Sequence, residues 1–144
     1  MILDKRAEFS DSQAVTSTAI STNVMDLRSS PTLKDVAGGK QLYAVIQVDT
    51  AATAAGAATV TFSVESDSTA DLATSATTHA VTAAIGKATL VAGYQLVIPL
   101  PPGVTYERYL GVRYTVATGP LTAGAFSAFI TAAPQNWNAV PAGA

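Results

Sequence analysis

The chain lacks cysteine altogether and contains a single histidine, His79. Without cysteine it can form neither disulfides nor thiolate metal sites, and it has no cysteine nucleophile. One histidine cannot fill a tetrahedral zinc site without three carboxylates, and no Gly-x-Ser-x-Gly motif is present. The residues needed for the usual nucleophile–base pairs are therefore scarce. We predict a protein that is not an enzyme and that uses no cofactor and no metal.

Long apolar runs and a secretion signal are also missing. No run of about 18 apolar residues is present, which argues against a membrane span. The sequence Met-Ile-Leu-Asp-Lys-Arg reaches charged residues too early for the apolar core of a signal peptide. The net charge of −2 provides no basic field to attract nucleic acid or an anionic membrane. We expect a chain made in the cytoplasm, with no nucleic-acid, membrane or small-molecule partner.

Charged residues are few and unevenly placed. They make up 12% of the chain, ten of the eighteen lie in the first 40 positions, and none lies between Tyr114 and Ala144. A free monomer usually spreads charge over its surface, whereas the centres of protein interfaces are depleted in charge. The charge-poor half therefore predicts contact with other subunits. The alternative is a monomer kept soluble by its many threonine and serine hydroxyls.

Alternation of apolar and polar residues is the dominant pattern. It is clearest where Val60, Phe62 and Val64 alternate with threonine, serine and glutamate, which predicts a half-buried strand. Segment 126–131 is apolar on both faces. The predicted strands are 42–49, 59–65, 94–100, 110–116 and 126–131, with weaker ones at 19–27 and 80–85. Short strands separated by turn residues are typical of an all-β sandwich or jelly roll.

The sequence predicts one domain with two terminal extensions. Residues 1–40 are interpreted as an N-terminal arm with the first weak strands, 41–133 as the β-sandwich core, and 134–144 as a C-terminal tail. Segment 50–58 is read as a loop, with a short alanine-rich helix as the alternative. Segment 67–78 is read as a polar loop with one helical turn near Asp71 and Leu72.

Two groups of polar residues are candidate sites. Glu65, Asp67 and Asp71 form the only local acidic group, for which a solvated turn is favoured over a calcium site. A basic and aromatic group surrounds the strand at 110–116 and comprises Arg108, Arg113, Tyr106, Tyr109 and Tyr114. Because Glu107 lies within it and the chain is acidic overall, structural pairing or an inter-subunit contact is favoured over nucleic-acid binding.

Three blocks of the sequence carry a family resemblance. They are Met1 to Ala14 (MILDKRAEFSDSQA), Leu100 to Gly103 (LPPG) with Glu107 to Tyr114 (ERYLGVRY), and Pro134 to Trp137 (PQNW). In order and spacing the chain resembles the Bbp16-like family of bacteriophage capsid cement proteins over nearly its whole length. It departs from the family pattern after the tail tryptophan, where Ala139-Val140-Pro141 replaces an aromatic residue.

The resemblance implies a jelly-roll subunit on the outside of a phage head. Such a protein forms small homo-oligomers, dimers or trimers, and ties neighbouring major capsid protein subunits of the HK97-type fold together. Its location would be the outer capsid surface of the virion, after synthesis in the host bacterial cytoplasm. The family offers no catalytic residues to carry over.

Contact residues are predicted in three places. We expect residues 1 to about 14 to contact the capsid or a sister subunit, Trp137 to be a packed anchor, and strands 110–116 and 125–131 to contribute to the core and to the homo-oligomer contact. The full set of predicted interface residues is Asp4, Lys5, Arg6, Glu8, Phe9, Asp11, Arg108, Tyr109, Arg113 and Trp137.

Two other functions remain open at this point. A carbohydrate-binding jelly-roll adhesion module would present an exposed aromatic shelf, for which Tyr94, Tyr106 and Tyr109 are the candidates. A hydrolase is the third reading.

Overall fold

The computed structural model describes residues 4–28, 36 and 38–134. In these residues one 3₁₀ turn precedes ten β-strands. The turn is Lys5–Ala7 and the strands are β1 (Glu8–Ala14), β2 (Ala19–Ile20), β3 (Met25–Asp26), β4 (Tyr43–Thr53), β5 (Thr59–Asp67), β6 (Thr77–Val81), β7 (Ile85–Gly86), β8 (Gln95–Pro99), β9 (Tyr109–Ala117) and β10 (Ala123–Thr131). The predicted all-β class is confirmed.

The strands form two antiparallel sheets with the topology of a jelly roll. The first sheet has the order β1-β10-β4-β8, and the second has β2-β9-β5-β6, with β3 added on β9 and β7 on β5. Successive strands repeatedly cross from one sheet to the other, so that the chain ends pair with each other through β1 and β10. This interleaving produces the two Greek keys of a jelly roll. The predicted sandwich is therefore confirmed, and the sheet order specifies its topology.

Three local predictions need correction. The segment 50–53, read as a loop or helix, continues β4 as far as Thr53. Strand β5 is not half-buried, because from Phe62 onward both of its faces are buried. The loop after β5 makes a single turn closed by the Leu72 amide bonding to the Thr69 carbonyl, without a helix in the described residues.

The loop after β5 covers the outer face of the second sheet. Leu72, at its centre, is 1% exposed although it lies outside the main core cluster. It packs against Gly111 of β9, where an added Cβ would lie 2.8 Å from Leu72 Cδ1 and 3.0 Å from Val24 Cγ1. A larger residue at this position would require the Leu72 side chain to shift. Coverage by the loop explains why the polar face of β5 is buried.

The core between the sheets is centred on three aromatic rings. Phe62 meets Tyr114 and Phe126 edge to face at centroid distances of 5.8 and 5.3 Å, while Tyr114 and Phe126 stack at 5.5 Å. The Tyr114 hydroxyl is 2.8 Å from Ser10 Oγ on β1. Burial raises the pKa of Tyr114 to about 12, with the Ser10 hydrogen bond acting in the opposite direction. The cluster joins strands from both sheets.

The charge-poor strands at 110–116, where Arg113 is the one charged residue, and at 125–131 are interior strands. Strand β9 lies between β5 and the short pair β2 and β3, and β10 lies between β1 and β4. Most of their side chains are buried, which confirms their predicted place in the core. Both backbone edges of each strand are already paired over much of its length. Their scarcity of charge follows from burial, so it does not locate a subunit contact.

Candidate protein–protein interface

The charged N-terminal residues lie on the 3₁₀ turn and on β1. Asp4 caps the turn, its Oδ1 accepting from the Arg6 amide at 2.9 Å. Lys5 forms an ion pair with Glu8, which stands opposite Phe129 of β10. Arg6 and Asp11 are exposed and form no ion pair with other described residues. The turn therefore presents charged groups of both signs beside the edge of the first sheet.

The predicted N-terminal arm is, over Glu8–Ala14, part of the sandwich. Strand β1 pairs with β10, and the Phe9 carbonyl accepts from the Asn23 amide at 2.8 Å. Phe9 is fully buried in the core. Its assignment to an interface is wrong, because a core side chain has no surface to offer a partner. Of this segment only the charged turn and exposed residues such as Asp11 remain candidates.

Arg108, which is exposed, and Tyr109, which is half-buried, form a patch at the start of β9. The Arg108 guanidinium donates to both carboxylate oxygens of Asp26, at 3.1 and 3.0 Å. It also lies over the Tyr109 ring, 4.9 Å from the centroid. The patch links β3 to β9, and the Arg108 side chain remains 47% exposed. A planar, exposed Arg–aromatic pair is suited to a protein contact.

Arg113 lies apart from this patch, and its side chain bonds to groups of the same subunit. Its Nε donates to Glu65 Oε2 at 2.8 Å and its Nη2 to the Leu72 carbonyl at 2.6 Å. Glu65 also accepts from the Ser63 hydroxyl at 2.8 Å. Arg113 thus fastens the covering loop to β5 and β9. The structure gives Arg113 a positioning role inside the fold. The predicted anchor residue Trp137 lies outside the described residues.

Asp67 organises the loop that follows β5. Its Oδ1 accepts from the Ser68 amide and hydroxyl and from the Thr69 amide, and its Oδ2 accepts from the amides of Thr74 and Ser75 at 3.1 Å each. Burial alone would raise the pKa of Asp67, but these donors outweigh it and lower the pKa. The sequence Asp67-Ser68-Thr69 is typical of an Asx turn, so this role of Asp67 was predictable from the sequence.

The three acidic residues weighed as a calcium site are engaged separately. Glu65 pairs with Arg113, while Asp71 accepts from the Thr69 hydroxyl at 2.7 Å and from the Ala73 amide. In the described part of the chain no three His, Asp or Glu side chains are close enough together to hold a metal ion. These carboxylates stabilise the loop through protein donors.

We expect Asp67→Asn to destabilise the fold in a pH-dependent way. An amide nitrogen would face amide donors that now bond to a carboxylate, so the melting temperature should fall by about 5 °C or more at pH 7. Because folding lowers the pKa of Asp67, its contribution is complete above the ordinary value of 3.8 and is lost as the pH falls through the folded value. The difference between wild type and variant should therefore shrink below about pH 3.8.

Thermal melts of both proteins from pH 2 to 7 measure this difference. Asp11→Asn, at an exposed carboxylate of β1, is the matched control and should melt like the wild type. An Asp67→Asn difference that is the same at every pH would contradict the assigned role.

His79 is bonded to a buried serine. Its Nε2 is 2.6 Å from Ser66 Oγ, which also accepts from the Glu107 amide at 3.0 Å. Burial lowers the pKa of His79, and the Glu107 carboxylate opposes this. Ser66 is fully buried, so its hydroxyl cannot reach a substrate. The pair ties β5 and β6 to the segment before β9, a link that sequence spacing did not reveal.

The three tyrosines considered as a carbohydrate shelf are used in other ways. Tyr94 and Tyr106 are half-buried and pack against the core. The Tyr106 hydroxyl donates to the Pro101 carbonyl at 2.7 Å, and its ring lies 4.3 Å from that of His79. With Tyr109 beneath Arg108, these rings do not form an exposed shelf. The described residues also contain no helix with the length and apolarity needed to cross a membrane.

The strand order defines a jelly-roll protein. The arginine, aspartate and histidine side chains described above form hydrogen bonds that hold its loops and strands together. Comparison with known families places it further: the Bbp16 family model matches residues 9–130, which is most of the chain. The protein belongs to the Bbp16 family. This membership indicates a phage-related structural protein. No curated protein is significantly similar to the chain.

Proposed function

We propose that the protein is a capsid cement protein that binds the outer surface of an HK97-type phage head and bridges neighbouring major capsid protein subunits. The observation that carries the proposal is membership of the Bbp16 family over residues 9–130. The protein acts without catalysis and without a cofactor or metal. Its place of action is the virion surface, after synthesis in the host cytoplasm.

Two exposed groups of described residues suit a bridging role. The N-terminal segment offers Arg6 on the turn and Asp11 on β1, both outside any ion pair among the described residues. The Arg108–Tyr109 patch offers a planar cation with an aromatic ring. Charges of both signs fix the orientation of a docked subunit and exclude wrong partners. Weak contacts of this kind gain strength when several are made by one oligomer.

Co-sedimentation with phage heads tests the proposal. We expect the purified protein to bind expanded empty heads and not free capsid subunits, since only the assembled shell presents neighbouring subunits together. A variant with Arg6→Glu and Asp11→Lys should bind about tenfold more weakly, as expected for a loss near 1.4 kcal/mol.

Lys40→Glu is the matched control, because Lys40 is exposed and lies outside both groups. It should bind as the wild type does. Equal binding of the double variant and the wild type would remove Arg6 and Asp11 from the contact. No binding of wild-type protein to heads would overturn the proposed function.

A further inference from the structure

His79 and Ser66 form a hydrogen bond in which the serine is the donor. Ser66 is fully buried on β5, and its Oγ accepts from the Glu107 amide at 3.0 Å. His79 Nε2, at 2.6 Å, is the one other hydrogen-bond partner of this oxygen among the described residues. A serine hydroxyl carries a single hydrogen, which here has Nε2 as its acceptor. The hydrogen-bond network therefore assigns the neutral tautomer of His79, with its proton on Nδ1.

Protonation of His79 disrupts this arrangement. Nε2 then carries a hydrogen and donates to Ser66 Oγ, so the serine's own hydrogen loses its acceptor in a buried site. A buried donor that loses its partner destabilises the state that contains it. The histidine side chain is also half-buried, which disfavours its charged form. The site therefore suits neutral His79 and opposes the imidazolium.

The acidic residues of β5 do not face His79. Glu65 and Asp67 flank Ser66, but alternate side chains of a strand point to opposite faces. Glu65 pairs with Arg113, and Asp67 accepts from amides of the loop that covers that face. Strand β6 contributes no other ionisable side chain, since its sequence is TTHAV. The groups left to act on His79 are Ser66 and those of the segment before β9.

The segment before β9 contributes two groups beside His79. The centroid of the Tyr106 ring is 4.3 Å from that of His79, and the Glu107 carboxylate is the nearby charge that favours the imidazolium. Glu107 is half-buried and already accepts from the Thr77 hydroxyl at 3.0 Å, so solvent weakens its effect. The guanidinium of Arg108 is bonded to β3. Burial outweighs the carboxylate, and the pKa of His79 is lowered overall.

These contacts hold the connection between β8 and β9, residues 100–108, on the second sheet. The connection meets β5 and β6 through the amide and carboxylate of Glu107 and the ring of Tyr106. We propose that His79 is a pH-sensitive latch, which holds this connection on the second sheet while it is neutral and releases it when it is protonated. The connection leads directly into the Arg108–Tyr109 patch. The latch is a property of the single subunit and does not depend on binding to phage heads.

The first test measures the pKa of His79 itself. NMR titration of the ring signals needs no assignment among histidines, because the chain contains one. We expect a value below the ordinary 6.5 in the folded protein. Ser66→Ala removes the donor that bonds to the neutral ring, so it should move the pKa back towards 6.5. A wild-type pKa of 6.5 or above would overturn the proposal, as would a Ser66→Ala variant with the wild-type pKa.

Hydrogen exchange of the Glu107 amide measures release of the connection. Because folding lowers the pKa of His79, the latch is complete above pH 6.5 and is lost as the pH falls through the folded value. Protection of this amide, corrected for the intrinsic exchange rate, should therefore fall between pH 8 and pH 4.5. The size follows from linkage: about tenfold for each whole number by which the measured pKa lies below the ordinary one.

The Val112 amide separates release of the connection from unfolding of the whole subunit. It donates to the Ser21 hydroxyl at 3.1 Å on the same sheet, so it is matched to the Glu107 amide in its type of acceptor. A local latch requires the Glu107 amide to exchange faster than the Val112 amide at each pH. Equal protection of the two amides would mean that only global unfolding frees the connection, and it would overturn the proposal.

His79→Gln tests the latch without a titrating group. The glutamine side-chain oxygen can accept from the Ser66 hydroxyl as Nε2 does, so protection of the Glu107 amide should not follow pH in this variant. Thr78→Gln, at the exposed neighbouring position, is the matched control and should keep the wild-type dependence. Constant protection in the wild type, or a fall of equal size in His79→Gln, would overturn the proposal.

Discussion

Phe62→Ala is expected to lower the free energy of unfolding by about 3–5 kcal/mol, among the largest losses for a single change in this chain. Phe62 is fully buried on β5 and meets both Tyr114 and Phe126 edge to face. Truncation removes its buried surface and leaves a cavity between the sheets, and it removes two aromatic contacts worth about 0.5–1.5 kcal/mol each. Urea unfolding should show a lower midpoint with little change in slope.

Two further variants make this measurement specific. Val81→Ala removes apolar atoms at a 61% exposed position and should cost well under 1 kcal/mol. Phe62→Leu keeps most of the volume but loses the ring contacts, so its loss should lie between those of the other two. If Phe62→Ala cost no more than Val81→Ala, the aromatic cluster would not be the centre of stability.

The core was predictable from sequence because alternation reports which residues face inward. Val60, Phe62 and Val64 were assigned to one face of a strand, and that face is in the core. The alternation could not report that the opposite face is also covered. Burial of Ser63 and Glu65 depends on a loop that returns over the sheet, and such long-range packing has no local signal.

Charge scarcity was the least reliable guide. It predicted a contact with other subunits for the half of the chain that holds β9 and β10, but burial within one subunit and burial between subunits deplete charge in the same way. Only the sheet order separates them, because it shows β9 and β10 to be interior strands and β8 to be an edge. Phe9 was misassigned for a related reason: it lies among charged residues in sequence while its side chain points into the core.

Arg113→Met is expected to cost about 2–4 kcal/mol, several times more than a similar change at a surface ion pair. Arg113 is the charge partner of Glu65, whose side chain is only 8% exposed. Its removal leaves the Glu65 carboxylate without its charge partner, although the hydrogen bond from the Ser63 hydroxyl remains. The Leu72 carbonyl of the covering loop also loses the donor that Arg113 supplies. A buried charge without its partner costs more than the pair contributes when intact.

Arg108→Met is the matched control in the same chain. Arg108 and Asp26 form a bidentate pair, but their side chains are 47% and 28% exposed. Solvent screens such a pair, so its loss should cost at most about 1 kcal/mol. Denaturant unfolding of both variants compares the pairs directly, and equal losses would show that burial does not set the strength of the Arg113 pair.

Glu65→Gln separates the charge from the contact. In the Arg113→Met background it neutralises the stranded carboxylate, so part of the lost stability should return. In the wild-type background the same change should be destabilising, because Arg113 would then lack its counter-charge. The opposite signs follow from one cause, the cost of a lone charge on a covered face, and a double-mutant cycle measures it as a coupling energy. If Glu65→Gln destabilised both backgrounds equally, the loop would be held by packing of Leu72, and the ion pair would be incidental to it.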